Sequence, residues 1–441
     1  MLANYGFHEK LREYRVQLQP PQLPVTGELT RVTGQLLEAT GCVARCGEIC
    51  RIETTDGSIF DAEVVGFDDN KTCLMPYDDI ELVPGSKVTP LGIKHRAPIG
   101  VGLLGRVIDS RGEPIDGHGP LENVEFRSLE TTELNPLTRA PINTPLDVGI
   151  RSINGLLTLG QGQRVGLFAA SGLGKSVLLG MMTRRTTADI TVICLLGERG
   201  REVREYVQDI LGPEELSRAI VVAVPADHTP LRRVTAISYA TAIAEYFRDC
   251  GQNALLLVDS LTRYAQAARE IGLAAGELPV TRGYPASVFS KLPQLLERGG
   301  CTSSGSITAI YTVLKETDDD DDPVAESVKS ILDGHIVLSR KLAESGHFPA
   351  IDILASTSRL KDAVTSPAQQ QAAQRFLQLY SHYQQNQDLL SVGMYQAGSD
   401  PELDKAIELL PSLNSYLRQS IQQEMPFESC VTKLQSIVES S

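Results

Sequence analysis

The sequence lacks a basic excess, a long apolar run and any tryptophan. Its 441 residues carry 41 Lys and Arg against 55 Asp and Glu, a net charge of −14, so the chain is not built mainly to neutralise nucleic-acid phosphates. No run approaches the roughly 18 apolar residues that a membrane span needs. Residues 1–8 contain no basic segment leading into an apolar core. We therefore expect a soluble, cytoplasmic protein that does not bind nucleic acid.

Two groups of metal-ligating residue types lack the pattern of a metal site. Cys42, Cys46 and Cys50 lie four residues apart, without the paired two-residue gaps of a zinc ribbon and with no histidine nearby. The five adjacent carboxylates of the run Asp318 to Asp322 repel one another, and no other ligand type surrounds them. We interpret the cysteines as parts of strands and a turn, and the acidic run as a solvated loop.

The chain divides into four parts, and its 42% apolar content is ample for a large core. Residues 1–28 predict a short amphipathic helix and a proline-rich linker. Residues 29–95 contain short β-prone runs between turn signals, which is typical of a small β-barrel. Residues 96–362 alternate strand-like and helical segments, which predicts an α/β domain with a mostly parallel sheet. Residues 363–441 have helical spacing and predict a C-terminal helical domain.

One segment has the pattern of a nucleoside triphosphate loop. It follows the apolar run of residues 165–168 and precedes the helix-like run of residues 177–182. A strand, a glycine-rich turn and a helix start together direct backbone N–H groups and a helix dipole at polyphosphate. We expect the nucleotide to contact Ala169, Ala170, Ser171, Gly172, Leu173, Gly174, Lys175, Ser176 and Val177.

Within this loop, Lys175 can reach the β- and γ-phosphates and Ser176 can hold Mg²⁺. Ala169 departs from the strict pattern, which has Gly at that position. Gly172 and Gly174 remain where the backbone approaches phosphate most closely.

Two further apolar strands end in carboxylates that phosphoryl transfer to water requires. Residues 255–258 lead into Asp259, which we predict as the acid on the metal side. Residues 191–196 lead into Gly197, Glu198 and Arg199. Glu198 is placed to polarise a water and Arg199 to steady it or a phosphate. The charges that follow, up to residue 205, have the spacing of surface ion pairs on a helix.

A third apolar strand, residues 350–355, is followed by Arg359. An arginine at a strand end can present a planar fork to phosphate oxygens, although by itself this pattern is more typical of a surface ion pair. A family resemblance is what makes Arg359 a candidate contact for phosphate.

The motifs, taken in order, resemble the rotary-type ATPases. They are the phosphate loop, Gly197-Glu198-Arg199, Asp259-Ser260-Leu261-Thr262-Arg263 and the block of residues 349–358. Within that group, residues 197–203, 282–293 and 332–340 are similar to the ATPases of type III protein export. Residues 174–182, 225–227 and 395–401 look like their flagellar branch. The resemblance covers roughly residues 25–425, with Ala170 and Ala286 where relatives often carry Gly and Pro.

The resemblance implies an enzyme that hydrolyses ATP, with Mg²⁺, to unfold and deliver flagellar export substrates. It implies a homohexamer with ATP at subunit interfaces, in which Glu198 is the catalytic base and Arg359 reaches the neighbour's γ-phosphate. It further implies a stalk-like regulator on residues 1–28, a central coiled-coil protein facing residues 282–293, and chaperone–substrate complexes on the C-terminal domain. It also implies a membrane export gate, at which the ring lies on the inner face of the cytoplasmic membrane. Tyr395 is a candidate surface for stacking adenine.

Four alternatives share parts of this pattern. A virulence-secretion ATPase is the nearest, and an RNA-translocating hexameric helicase shares the phosphate loop and the Asp259 block. The helicase needs a base-stacking platform, but residues 29–95 contain only Phe60, Phe67 and Tyr77 as aromatics. A non-catalytic subunit would lack the carboxylate that Glu198 supplies. A synthase subunit would carry the same residues as a hydrolase and would differ from it only in the direction of turnover.

Overall fold

The computed structural model describes residues 24–130, 135–315 and 322–439. The predicted helix and linker before residue 24, and all of the acidic run except Asp322, lie outside these ranges. The chain forms two compact units, one up to His95 and one from Arg96 onward. Among the described helices, none combines the length and apolarity that crossing a bilayer requires.

The first unit is a closed six-stranded barrel, as the short β-prone runs predict. Its strand order is β1-β2-β5-β4-β3-β6. Alternate side chains point inward, among them the fully buried Leu29, Ile52 and Leu74, because successive residues of a strand face opposite sides. The strands are β1 (Gly27–Thr33), β2 (Leu36–Thr40), β3 (Glu48–Glu53), β4 (Ile59–Asp68), β5 (Lys71–Pro76) and β6 (Lys87–Lys94).

The second unit is built on a nine-stranded sheet. Its order is β21-β20-β12-β19-β15-β13-β14-β8, with β18 paired to β19, and every pairing is parallel except those of β21 and β18. Its strands are β8 (Val107–Ile108), β12 (Arg164–Ala169), β13 (Ile190–Leu196), β14 (Ala219–Val224), β15 (Asn253–Asp259), β18 (Gly300–Cys301), β19 (Ser306–Leu314), β20 (Gly334–Leu338) and β21 (Ile351–Ser358). Three two-stranded pairs join β7 (Arg96–Ile99) with β9 (Glu125–Ser128), β10 (Pro145–Leu146) with β11 (Leu159–Gly160), and β16 (Pro279–Thr281) with β17 (Tyr284–Pro285).

Helices cover both faces of this sheet, which explains why its strands are continuous apolar runs rather than alternating ones. On β12, for example, Leu167 belongs to the core on one face and Phe168 to the core on the other. The α-helices are Lys175–Arg185, Gly200–Glu205, Gly212–Leu216, Pro230–Asp249, Leu261–Ala274, Ala286–Leu296, Pro323–Ile331, Arg340–Glu344, Lys361–Val364, Pro367–Gln385, Gln387–Ser391, Pro401–Leu417 and Phe427–Glu439.

The C-terminal helices pack against the face of the sheet that carries the phosphate-loop helix. Tyr416 and Leu434 lie in the same hydrophobic cluster as Leu178. The predicted architecture of barrel, parallel α/β core and helical C-terminal region is thereby confirmed. Asp322, the described residue of the acidic run, accepts hydrogen bonds from the N–H groups of Val324 and Ala325 and caps the helix Pro323–Ile331.

Gly155 shows how closely the C-terminal helices approach the sheet domain. A Cβ at this position would overlap with the Tyr416 hydroxyl, which is fully buried and donates to the carbonyl of Cys430. We expect Gly155→Ala to destabilise the protein by about 2 kcal/mol through overpacking, measured by urea unfolding. Gly200→Ala is the control, since nothing lies within 4 Å of a Cβ there. Equal stability of the two variants would contradict this packing.

Candidate active site

The phosphate loop connects β12 to the helix Lys175–Arg185, as the sequence predicts. Gly172 and Gly174 have φ angles of 82° and 84°, a left-handed conformation that glycine adopts without steric cost. Gly174 is the N-cap of the helix, which begins at Lys175. A Cβ at Gly172 would meet no atom within 4 Å. The loop therefore leaves open space over the backbone N–H groups and the positive end of the helix dipole, where an anion binds.

A cleft of about 800 Å³ opens beside this loop. Its walls follow six strands whose carboxyl ends meet at one edge of the sheet, β20, β12, β19, β15, β13 and β14, where open parallel sheets bind ligands. The lining residues are Ala170, Ser171, Gly172, Gly174, Lys175, Ser176, Val177, Gly197, Glu198, Arg199, Glu202, Ala226, Thr262, Arg263, Gln266, Leu314, Lys315 and Arg340. Of the predicted nucleotide contacts, Ala169 is buried behind the loop and Leu173 faces an adjoining hollow.

Lys175 and Asp259 form a buried ion pair at the base of the cleft. Lys175 Nζ lies 2.5 Å from Asp259 Oδ1, with 11% and 4% of the two side chains exposed. The Thr312 hydroxyl donates to the same Oδ1 over 2.8 Å. Two strands that are distant in sequence thus hold the Asp259 carboxylate against the phosphate-loop lysine.

Glu198 lies on the other side of Lys175, with Oε1 3.5 Å from Nζ. Burial, the charge of Asp259 and a hydrogen bond with Glu202 together raise the pKa of the Glu198 carboxyl to about 7, against the opposing charge of Lys175. The same hydrogen bond lowers the pKa of Glu202. Glu198 is therefore poised to take up or release a proton near neutral pH.

The charged residues that follow Glu198 form only some of the surface ion pairs that the sequence predicts. Arg201 and Glu205 form the expected ion pair at 3.3 Å. Glu202 differs, since it lines the cleft and bonds to Glu198. The helical turn that begins at Gly200 directs Glu202 back toward the strand end. Arg199 also lines the cleft, with 81% of its side chain exposed and its Nε 4.0 Å from Glu202.

Arg359 does not reach the cleft of its own subunit. Strand β21 runs antiparallel to β20, with Ser358 opposite Gly334, so its carboxyl end lies at the edge of the sheet away from the phosphate loop. The exposed Arg359 donates from Nη2 to the Lys329 carbonyl over 3.3 Å, and its N–H binds the Asp333 carbonyl. It is therefore directed at the surface of the subunit.

Sequence reasoning missed several polar residues of the site. The fully buried Thr312 contacts Asp259, and the others line the cleft, namely Glu202, Thr262, Arg263, Gln266, Lys315 and Arg340. Most lie at or just beyond the carboxyl end of a sheet strand, which is the signal that could have found them. Thr262 and Arg263 belong to the motif of residues 259–263, in which only Asp259 had a predicted role. The Arg263 side chain packs against Gly197, and its Nη1 donates to Gln266 over 3.1 Å.

A second, mostly apolar hollow of about 250 Å³ adjoins the start of the phosphate-loop helix. It is lined by Leu173, Gly174, Val177, Leu178, Met181, Leu338, Phe348, Pro349, Ala350, Gln419 and Ile421. Tyr395, which the sequence suggests as a stacking surface for adenine, lines neither of these two cavities. Its hydroxyl donates to Asp404 over 2.8 Å and ties a loop to the C-terminal helices.

Three family models match the chain. The nucleotide-binding domain of the ATP synthase alpha/beta family matches residues 149–358, and the beta-barrel domain of the same family matches residues 29–92. The C-terminal domain of the T3SS EscN ATPase matches residues 365–436.

Curated relatives align over nearly the whole chain. A flagellum-specific ATP synthase of Pseudomonas aeruginosa is 51% identical, with 99% of this chain and 98% of the relative covered. The flagellum-specific ATP synthase of Salmonella typhimurium is 52% identical over 93% of each. A type 3 secretion system ATPase of Xanthomonas euvesicatoria is 45% identical over 94% of each.

Solved structures show the same fold. The assembled ATPase EscN of the enteropathogenic E. coli type III secretion system superposes with a TM-score of 0.89 at 42% identity, covering 93% of this chain and 100% of that one. The same ATPase in complex with its central stalk EscO gives a TM-score of 0.86 at the same identity and coverage.

The ion pair at the base of the cleft predicts a stability change that needs no ligand. Lys175→Met leaves the Asp259 charge buried without its cation, so we expect a loss of about 3 kcal/mol in urea unfolding. Adding Asp259→Asn should recover part of it, giving a coupling energy in the double-mutant cycle. Lys405→Met, at an exposed position, is the control. Additive losses would contradict a direct Lys175–Asp259 interaction.

Proposed function

Since the chain belongs to the ATP synthase alpha/beta family, and within it to the flagellar and type III secretion ATPases, we propose that its cleft hydrolyses ATP to drive protein export by the flagellar apparatus. ATP is the substrate of this family. The observation that carries hydrolysis is Glu198, a carboxyl of raised pKa that lies 3.5 Å from the phosphate-loop lysine. The relatives with the higher identities bear the flagellar name.

In the proposed reaction, Lys175 exchanges its contact with Asp259 for the β- and γ-phosphates of ATP. Glu198 accepts the proton of the attacking water, which requires its ionised form. Arg199 and Arg263 line the same cleft and stabilise the charge that develops on the γ-phosphoryl group. Glu202 then offers the Glu198 proton a path toward solvent, because it is hydrogen-bonded to Glu198 and partly exposed.

The oxygen atoms beside the phosphate loop fit Mg²⁺. Ser176 lines the cleft, and the contacts of Lys175 and Thr312 both fall on Oδ1 of Asp259. Hydroxyl and carboxylate oxygens are the ligand types that Mg²⁺ prefers, usually through one or two protein groups together with water and phosphate. Ser176 would hold the ion directly and Asp259 through water. When bound, it neutralises charge on the β- and γ-phosphates.

Arg359 acts on the γ-phosphate of a neighbouring subunit in this proposal. Its position at the far edge of the sheet and its exposure are what support the assignment. Each complete site then needs two chains, which agrees with a homohexameric ring. The structural neighbour described as assembled ATPase EscN is consistent with such a ring.

The apolar hollow beside the phosphate loop is our candidate adenine site. Phe348, with 49% of its surface exposed, supplies an aromatic face, and Val177 joins the hollow to the phosphate cleft. An aromatic ring against a nucleobase is a common recognition mode. Phe348 therefore replaces Tyr395 as the stacking residue.

The remaining partners are proposals that rest on the family. They are a stalk-like regulator on residues 1–28, a central coiled coil in the ring, chaperone–substrate complexes on the C-terminal helices, and an export gate at the inner face of the cytoplasmic membrane. The neighbour in complex with its central stalk EscO supports the coiled-coil partner. We expect no nucleic-acid partner, since Phe67 is the one exposed aromatic among the three of residues 29–95, and Tyr77 is buried and donates to Glu63.

Mixing two inactive variants tests the shared site. Lys175→Ala lacks the phosphate lysine and Arg359→Ala lacks the trans arginine, so neither should hydrolyse ATP alone. In an equimolar mixed ring, about a quarter of the interfaces pair an intact lysine with an intact arginine, and activity per site should recover to about that fraction. Phosphate release measures it, and wild type diluted into each variant is the control. Full activity of Arg359→Ala alone would remove Arg359 from the mechanism.

The raised pKa of Glu198 predicts the acidic limb of the rate profile. Hydrolysis needs the ionised carboxylate, so kcat/KM should rise with pH through a pKa of about 7 and fall about tenfold per unit below it. Glu202→Gln removes a negative neighbour and should move this limb to lower pH. Protonation of ATP itself affects both proteins equally, so the difference between the two profiles isolates Glu198. Identical profiles would contradict the assignment of Glu198.

A further inference from the structure

Two hydrogen bonds from backbone N–H groups fix the position of Lys315 beside the cleft. Lys315 directly follows β19, and its N–H donates to the carbonyl of Ala169, the residue just before the phosphate loop, over 3.0 Å. On the other side, the N–H of Leu314 donates to the Thr262 hydroxyl over 2.9 Å. The end of β19 is thus anchored both to the phosphate-loop strand and to the helix that follows Asp259.

The strand order determines where Lys315 emerges. Strand β19 lies between β12, which leads into the phosphate loop, and β15, which ends in Asp259. All three strands are parallel, so their carboxyl ends meet at one edge. Lys315 therefore follows the sheet edge between the loop that carries Lys175 and the acid that contacts it, and it is one of the residues that line the cleft.

The charge around the cleft is opposite to that of the whole chain. Among the cleft-lining residues that the structure describes, five are cationic, Lys175, Arg199, Arg263, Lys315 and Arg340, and two are acidic, Glu198 and Glu202. With Asp259 at the base of the cleft counted as well, cations still outnumber acids five to three. The chain as a whole carries a net charge of −14. Concentrating cations in one concave site of an acidic protein favours a polyanionic ligand there.

We infer that Lys315 is a second nucleotide-binding lysine, which contacts the terminal phosphate of ATP from the side of β19. This inference rests on the proposed function. It assigns Lys315 to binding and to the discrimination of ATP from ADP, since ADP lacks the phosphate group that extends toward Asp259 and Glu198. A lysine ammonium is a compact point charge with three donors on a flexible stem, which suits it to a phosphate group.

The test is nucleotide affinity measured by calorimetry on the full chain. Lys315→Met should weaken binding of a non-hydrolysable ATP analogue about tenfold, the loss expected for one charge-assisted hydrogen bond, and should change ADP binding less than about twofold. Lys315→Arg should keep most of the affinity because it keeps the charge. Lys341→Met is the matched control, since Lys341 is an exposed lysine outside the cleft.

Thermal unfolding of the nucleotide-free proteins separates binding from structure. Lys315→Met keeps the backbone bond to Ala169 and should remain folded, with a single cooperative unfolding transition like that of the wild type. Unchanged analogue affinity, or equal weakening of analogue and ADP, would overturn the inference while leaving the proposed function intact. Failure of the wild-type protein to bind either nucleotide would instead overturn the proposed function, and this inference with it.

Discussion

The candidate site depends on one constraint, the parallel pairing of β12, β19, β15 and β13. Parallel strands end together, so the loop after each strand meets its neighbours at one edge of the sheet. Lys175, Asp259 and Glu198 come from three different strand ends and converge there. Two packed faces hold these strands in register, since every strand is buried on both sides. A shift of one strand by one residue would turn its apolar side chains to the wrong face.

Within that frame, the ion pair of Lys175 and Asp259 keeps the phosphate-loop lysine oriented before a ligand arrives. A buried charge pair is costly to desolvate and gains stability only when its geometry is good. Here Thr312 adds a third contact to the carboxylate. The same negative charge raises the pKa of Glu198. The group that orients the lysine thus also prepares the proposed base, which links substrate binding to proton transfer through one carboxylate.

The direction of a single strand separates the two halves of the proposed site. Strand β21 is antiparallel at the edge of an otherwise mostly parallel sheet, so the arginine that follows it faces away from its own cleft. A parallel β21 would have ended at the edge of the sheet that carries the phosphate loop. In the proposed mechanism, the antiparallel pairing lets Arg359 act on a neighbouring subunit, and assembly becomes a condition of turnover.

Local features of the sequence determined the barrel, the alternation of strands and helices, and the phosphate loop. The features of the phosphate loop all belong to adjacent residues. Gly172 and Gly174 adopt left-handed backbone, a helix starts at Lys175, and an apolar strand precedes the loop. Only the tertiary structure decided which strand ends are neighbours, and therefore that Lys315 enters the cleft, that Glu202 bonds to Glu198 and that Tyr395 lies elsewhere. These facts depend on strand order and direction, which arise from packing between segments that are distant in sequence. Such packing leaves no pattern among neighbouring residues of the sequence.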